Sequence, residues 1–262
     1  MVYWTMRENV PCEFPAEYDG AAMLGRLEQV LDPELDESIL DLGFVRSLQL
    51  HDGHASVAVR LPTNWCAVNF AYMMADDVRR ALLSVAGIRQ VTVSLGDHCA
   101  AAEIEAAVNN GRPFAEAFPG EGAGSLEALR LTFLRKGFLG RQERLLRELR
   151  EAGYSSEVVC ALRLGEVSVE DDKILIRQAQ SGSAQTLQRY LERRVELALD
   201  FSPTAALIVD LQGQPLSVEQ LRSHYEAART VRVAMEANGS FCRALLSLQR
   251  LDANRGGRDV QS

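Results

Sequence analysis

The spacing of hydrophobic residues changes period repeatedly within the first hundred positions of the chain. Helical spacing, with apolar residues three or four positions apart, alternates with the period-two spacing of strands that bury one face. The segments follow in the order helix, strand, strand, helix, strand: residues 21–31, 45–50, 55–61, 67–85 and 91–95. The pair Asp52-Gly53 between the first two strands is typical of a tight hairpin. We therefore predict a small αββαβ sandwich, with both helices on one face of a sheet.

The hydrophobic pattern of the second half is mainly helical. Helices are predicted on either side of a break at 137–140, then at 156–164, 184–199 and 217–237, and again from residue 240 after a break at 238–239, with a hairpin at 167–176 and a strand at 205–211. The predicted fold class is therefore α+β, a small sandwich domain followed by a mostly helical domain with a short hairpin.

Composition divides the chain into five predicted segments. Residues 109–124 contain four glycines and two prolines, which is typical of a linker. The segments are an N-terminal arm at 1–19, the αββαβ domain at 20–108, the linker at 109–124, a mainly helical domain at 125–252 and a disordered tail at 253–262.

Charge and hydropathy exclude several classes of protein. The 262 residues carry a formal net charge of −8, which disfavours a nucleic-acid-binding role because such binding depends on clustered Lys and Arg. No apolar run approaches the roughly 18 residues of a membrane span, and the sequence from Met1 lacks a signal-peptide pattern. We expect a cytoplasmic protein with neither nucleic acid nor membrane as a partner.

The five cysteines are scattered, odd in number and without a Cys-x-x-Cys pair, which disfavours both a disulfide framework and a closed zinc site. Cys66 lies where a predicted strand passes into a predicted helix, and a thiol in the first turn of a helix is favoured as thiolate. Cys242 follows a predicted helix start, with Arg243 beside it to favour the thiolate. For both thiols the alternative is simple burial as small apolar side chains.

A further group of candidate ligands ends the third predicted strand. Asp97 and His98 precede Cys99 there, close to where the neighbouring strand delivers Cys66, so donors from the two segments are expected to converge. The alternatives are that His98 is an ordinary loop histidine and that Cys99 is a spacer at a helix start.

The first hundred residues also contain an ordered set of family motifs. These are Asp32-Pro33-Glu34, Ser38 to Val45, Thr63 with Cys66 three positions later, Val85-Ala86-Gly87-Ile88 and Val91-Thr92-Val93. Over about residues 20–100 the chain resembles the SufT/PaaD-type iron–sulfur cluster assembly domain. The resemblance implies that Cys66 is the functional residue and that Thr63, Asp32 and Asp41 lie near it. Ala67 replaces the proline that commonly follows the family cysteine, and Asn64-Trp65 replaces the proline-glycine before it.

The whole chain is also similar to a longer subgroup found beside multicomponent diiron monooxygenases of the propane type. This similarity runs through Asn69 to Tyr72, Asp97-His98, Ala117 to Gly120, Glu236-Ala237-Asn238 and Cys242-Arg243. It adds Asn238 and Arg243 as supporting residues and implies a diiron monooxygenase as the client.

These observations together give one hypothesis and two alternatives. In the hypothesis, Cys66 with Cys242, and with His98 or Asp97, binds iron or an iron–sulfur cluster transiently and delivers it to a client metalloenzyme. No catalytic residue is assigned, and a homodimer stays open. The first alternative is a thiol enzyme with Cys66 as nucleophile and His98 as base. The second is a non-catalytic adaptor whose thiols serve only packing.

Overall fold

The computed structural model describes residues 2–3, 12–14, 19–120, 125–170, 173–176 and 179–256. The chain forms two compact units, the first comprising 1–126 with 237–262 and the second comprising 127–236. The first unit therefore includes residues 237–262, whereas the helical domain was predicted to extend to residue 252. Within the described residues, no helix is long and apolar enough to cross a membrane.

The first unit contains the predicted sandwich with additional short elements. Its strands are β1 (Val2–Tyr3), β2 (Cys12–Phe14), β3 (Leu31–Asp32), β4 (Glu37–Ser38), β5 (Val45–His51), β6 (His54–Arg60) and β7 (Gln90–Gly96). Its helices are α1 (Gly20–Glu28), α2 (Val68–Leu83), α3 (Ala101–Asn109) and α4 (Phe114–Ala117). The α+β class and the helix, strand, strand, helix, strand order of the sandwich are confirmed.

A five-stranded sheet in the order β1-β2-β5-β6-β7 forms the centre of the first unit. Strands β5 and β6 are an antiparallel hairpin, and β7 pairs parallel to β6 over its whole length. The hairpin turns at Asp52 and Gly53, both with positive φ, and a Cβ at Gly53 would lie 2.9 Å from the Gly87 carbonyl oxygen. Glycine is therefore required at position 53 by both backbone conformation and space.

The predicted arm and linker both contain ordered elements. Strands β1 and β2 lie within the predicted arm and extend the sheet beyond β5. Helix α4 lies within the predicted linker, where Phe114 is buried with its ring centroid 5.3 Å from that of Tyr72. Burial of one aromatic side chain outweighs the loop-forming tendency of the surrounding glycines and prolines.

The second unit is mainly helical and has its own core. Its elements are α5 (Leu126–Glu151), α6 (Ser156–Ala161), β8 (Val167–Glu170), β9 (Lys173–Ile176), β10 (Ala179–Ser183), α7 (Ala184–Glu196) and α8 (Val218–Gly256), the last continuing into the first unit. The three strands form one antiparallel sheet in the order β10-β9-β8, which includes the predicted hairpin.

Three predictions for the second half are wrong. The glycines at 137 and 140 lie inside the continuous helix α5, and Asn238 and Gly239 lie inside α8. Each glycine destabilises a helix by about 1 kcal/mol. Burial of a neighbouring side chain such as Phe138 stabilises the folded chain by more than that. Residues 205–211 form only isolated bridges instead of a strand, although most of their side chains are buried. Helix α8 reaches Gly256, and the rest of the predicted tail lies outside the described residues.

Candidate functional site

Cys66 lies in the loop that joins β6 to α2. Helix α2 begins at Val68 with Ala67 as its N-cap residue, so the prediction that Cys66 occupies the first helical turn is wrong. The side chain is half-buried, and its Sγ lies 3.1 Å from Thr63 Oγ1. The spacing of three residues between Thr63 and Cys66 thus closes a turn in which hydroxyl and thiol face each other.

Three hydrogen bonds to backbone carbonyls fix this loop from two sides. The Cys99 amide donates to the Asn64 carbonyl at 2.7 Å, and the His98 ring donates from Nε2 to the Cys66 carbonyl at 2.8 Å. From helix α8, Gln249 Nε2 donates to the Pro62 carbonyl at 2.8 Å. These hydrogen bonds hold the loop through its backbone, so the side chains of Trp65 and Cys66 are not needed to fix its conformation.

His98 is buried, and both of its ring nitrogens bond to backbone groups. Nδ1 accepts from the Ala100 amide at 3.1 Å, which requires the proton to be on Nε2, the nitrogen that donates to the Cys66 carbonyl. In this arrangement His98 positions the Cys66 loop. Asp97, the other candidate ligand, has a positive φ, is largely exposed and forms an ion pair with Arg60. Cys99 is also exposed.

Cys242 approaches the same loop from helix α8. Its half-buried side chain packs against the core of the first unit, beside Leu246, which is almost fully buried. Burial, followed by the charges of Asp32, Cys66 and Glu34, raises the pKa of the Cys242 thiol to about 11, and Arg243 lowers it only in part. The expectation that Arg243 makes this thiol a ready thiolate is therefore wrong, because desolvation outweighs one exposed cation.

Two polar contacts hold the α8 segment that carries Cys242. Arg243 Nη1 pairs with Glu37 Oε2 at 2.5 Å, and Asn238 Nδ2 donates to Glu34 Oε1 at 3.3 Å. Glu34 lies in the turn between β3 and β4, and Glu37 begins β4. This hairpin and the loop at Pro62 therefore both bind one helix. Cys242, 176 positions from Cys66 in sequence, is thereby held within electrostatic reach of the Cys66 thiol.

Asp32 ends strand β3 and faces this region. Its Oδ1 accepts from the Glu34 and Leu35 amides, each at 2.9 Å. Burial raises the pKa of the Asp32 carboxyl to about 6, against the lowering effect of those two hydrogen bonds. Asp41, the second aspartate that the family resemblance implicates, lies exposed in the turn that follows β4.

The site offers a small number of donors. Among the residues that the structure describes, no group of three or more His, Cys, Asp and Glu side chains is placed to hold a metal ion. The Cys242 thiol lies within electrostatic reach of the Asp32 carboxyl and the Cys66 thiol, and thiolates are soft ligands suited to iron in clusters. The arrangement is therefore able to supply part of a coordination shell, with the remaining positions open.

Sequence reasoning did not find three residues of this site. Glu34 and Glu37 were not singled out as partners of α8, and Gln249 was not singled out at all. Each contact joins residues 187 to 206 positions apart, and a lone glutamine in a charged helix gives no signal of such a contact.

Known proteins resemble the first unit. A family model described as iron-sulfur cluster assembly protein matches residues 21–95. An iron-sulfur cluster carrier protein of Deinococcus radiodurans is 37% identical over 75 residues, which are 29% of this chain and 21% of that protein. The Fe-S protein maturation auxiliary factor YitW of Bacillus subtilis is 31% identical over 74 residues, which are 28% of this chain and 71% of that protein.

The matched segment includes Asp32, Thr63 and Cys66, whereas Cys242 and its helix lie beyond it. It spans about a fifth of the cluster carrier's length and more than two thirds of the maturation factor's. Through its first unit, the chain belongs to the SufT/PaaD-type family of iron–sulfur cluster assembly proteins.

Proposed function

We propose that this chain binds iron or an iron–sulfur cluster as transient cargo through Cys66 and Cys242 and passes it to a client metalloenzyme. One observation carries the proposal. A helix outside the family match places a second thiol against the loop of the family cysteine, and contacts of Gln249 and Arg243 hold it there.

The small number of donors suits a carrier better than a permanent site. A closed site with four protein ligands retains its metal, whereas a shell with open positions allows a client's ligands to enter by exchange. Cys242 adds a pH dependence, because its thiol must lose a proton before it binds iron. Cargo affinity is therefore expected to fall as the pH is lowered.

The proposed client is a diiron monooxygenase. This choice rests on the similarity of the whole chain to the longer subgroup associated with such enzymes, which includes Asn238, Cys242 and Arg243. The proposed site lies entirely within the first unit, so the second unit is available for docking to the client.

The orientation of His98 favours a carrier over a thiol enzyme. A general base must lie within hydrogen-bonding reach of the thiol that it activates. His98 Nε2 bonds to the Cys66 carbonyl oxygen, not to its sulfur, and Nδ1 accepts from the Ala100 amide.

An anaerobic titration with ferrous iron tests the proposal. Cys66→Ser and Cys242→Ser each remove one sulfur donor and should weaken iron binding at least tenfold. Cys160→Ser is the matched control, since Cys160 is a half-buried thiol of the second unit, and it should bind like the wild type. Unchanged binding in Cys66→Ser would refute the proposed role of this thiol.

A further inference from the structure

An apolar groove lies within the second unit, which contains none of the proposed iron ligands. Its volume is about 660 Å³, and it is lined by one face of helix α7, by Val169 of β8 and by Phe201. The lining residues Ala184, Leu191 and Val195 recur along α7 at helical spacing. At 1.5 Å per residue this face is roughly 16 Å long, about three helical turns.

The fold of the second unit leaves the apolar side chains of this groove uncovered. Val195 is 60% exposed, and Val169 and Phe201 are each 51% exposed. They are three of the nine large apolar side chains that are exposed in the described part of the chain. Another side of α7 packs into the core, where the Tyr190 ring lies 5.4 Å from that of Phe138. Exposed apolar residues that cluster in this way mark an interaction surface, whereas scattered ones do not.

The charged side chains that line the groove are both carboxylates, Glu192 and Glu196. Glu192 pairs with Arg141, and Glu196 pairs with Arg193. The two arginine side chains are only 6% and 9% exposed, whereas the glutamate side chains are 48% and 46% exposed. The groove therefore presents negative groups to solvent beside its apolar floor, which favours a partner with cationic side chains.

Resting on the proposed delivery of iron to a client, we infer that this groove binds one amphipathic helix of the client. The helix places its apolar face in the groove and its Lys or Arg side chains beside Glu192 and Glu196. Helix-in-groove recognition uses apolar anchors at positions i, i+3 or i+4, and i+7, which the length of the α7 face accommodates. A second copy of the chain is a poorer occupant, because its net charge of −8 opposes approach to an acidic groove.

A synthetic peptide tests the chemistry of the groove on the full chain. The peptide is a fluorescein-labelled helix of about four turns, with Leu at i, i+3, i+4 and i+7 and Lys on both flanks. Fluorescence anisotropy should show saturable binding of one peptide per chain, weakened by added salt. The same peptide with Glu in place of each Lys should bind at least tenfold more weakly. A peptide with a central proline, which breaks the helix, should also lose at least tenfold.

Variants of the groove assign the binding to this surface. Val195→Lys places a cation on the apolar floor and should weaken peptide binding at least tenfold. Val233→Lys is its matched control, since Val233 is a 48% exposed valine on a helix of the same unit, outside the groove. It should bind the peptide like the wild type. Phe201→Ala should weaken binding on the order of tenfold, because aromatic side chains often dominate interface energies.

Iron titration of the same preparations separates this inference from the proposed function. All three variants should bind iron like the wild type. If the wild type binds iron but shows no saturable peptide binding below about 1 mM, the groove inference is overturned and the carrier function stands. If the wild type binds no iron, the proposed function fails and the inference that rests on it fails too.

Three other results would overturn the groove inference alone. Equal binding of the Lys and Glu peptides would refute the role of charge. Equal binding of the proline peptide would assign the groove to an extended segment. Sedimentation velocity that shows a paired wild type and an unpaired Val195→Lys would assign the groove to a second copy of the chain.

Discussion

Replacing His98 tests whether this residue positions the Cys66 loop or binds metal. In His98→Ala, the Ala100 amide loses its acceptor and the Cys66 carbonyl loses its donor. A buried group left without a partner costs about 1–3 kcal/mol, and an ordinary hydrogen bond contributes about 1 kcal/mol. The free energy of unfolding should therefore fall by about 2–4 kcal/mol.

The same change should weaken iron binding without abolishing it. A released loop must be ordered again when iron binds, and ordering one backbone residue costs about 1–2 kcal/mol, equivalent to roughly a tenfold loss of affinity. Urea unfolding and anaerobic iron titration on one preparation give both quantities. His54→Ala is the control, because His54 bonds through Nε2 to Thr92 on the central strands, away from the Cys66 loop. It should leave iron affinity unchanged.

His98→Gln separates positioning from ligation. The glutamine amide can donate to the Cys66 carbonyl, yet it is a poor ligand for iron compared with imidazole. Iron affinity of His98→Gln should therefore return close to that of the wild type. If it recovers stability but binds iron as weakly as Cys66→Ser, His98 is a metal ligand and the positioning role is refuted.

Three further predictions concern Asp32, Cys242 and the core of the second unit. The folded-state pKa of Asp32 is raised to about 6, so its contribution to stability is present at low pH and lost as the pH rises. Between about pH 4.5 and 7 the wild type should lose about 2 kcal/mol of unfolding free energy relative to Asp32→Asn, and parallel pH curves would contradict this. The pKa of the Cys242 thiol is about 11, so at pH 8 iodoacetamide should alkylate Cys242 far more slowly than the exposed Cys99. Peptide mass spectrometry measures both rates, and equal rates would contradict the burial of Cys242. The Arg194 side chain is buried and donates hydrogen bonds to the Ala206 and Asp200 carbonyls. Arg194→Met should lower the free energy of unfolding of the second unit by about 3 kcal/mol. Iron titration should be unchanged, and weaker binding would show that the site depends on this unit.

Local patterns predicted the elements that depend on local chemistry. The alternation of 55–61 and 91–95 and the Asp52-Gly53 turn correspond to β6, β7 and the hairpin between β5 and β6. The strand–helix junction placed Cys66 in the right loop, but α2 begins two residues after Cys66, at Val68, so Cys66 lies outside the first helical turn. These features follow from side-chain periodicity and turn geometry, which neighbouring residues determine.

Long-range packing decided the features that the sequence did not predict. Asn238 and Gly239 are typical helix-terminating residues, yet α8 continues through them because its far end packs Leu246 into the first unit. That continuation carries Cys242 to the loop of Cys66. Short-range preferences of about 1 kcal/mol were outweighed by tertiary burial, which a single sequence does not reveal.

Iron K-edge X-ray absorption of the iron-loaded chain tests the central claim most directly, because it identifies the atoms bound to iron. We expect sulfur neighbours in the wild type, fewer sulfur neighbours in Cys66→Ser and in Cys242→Ser, and an unchanged spectrum in Cys160→Ser. A first shell of oxygen and nitrogen alone, equal in the wild type and in Cys66→Ser, would contradict it.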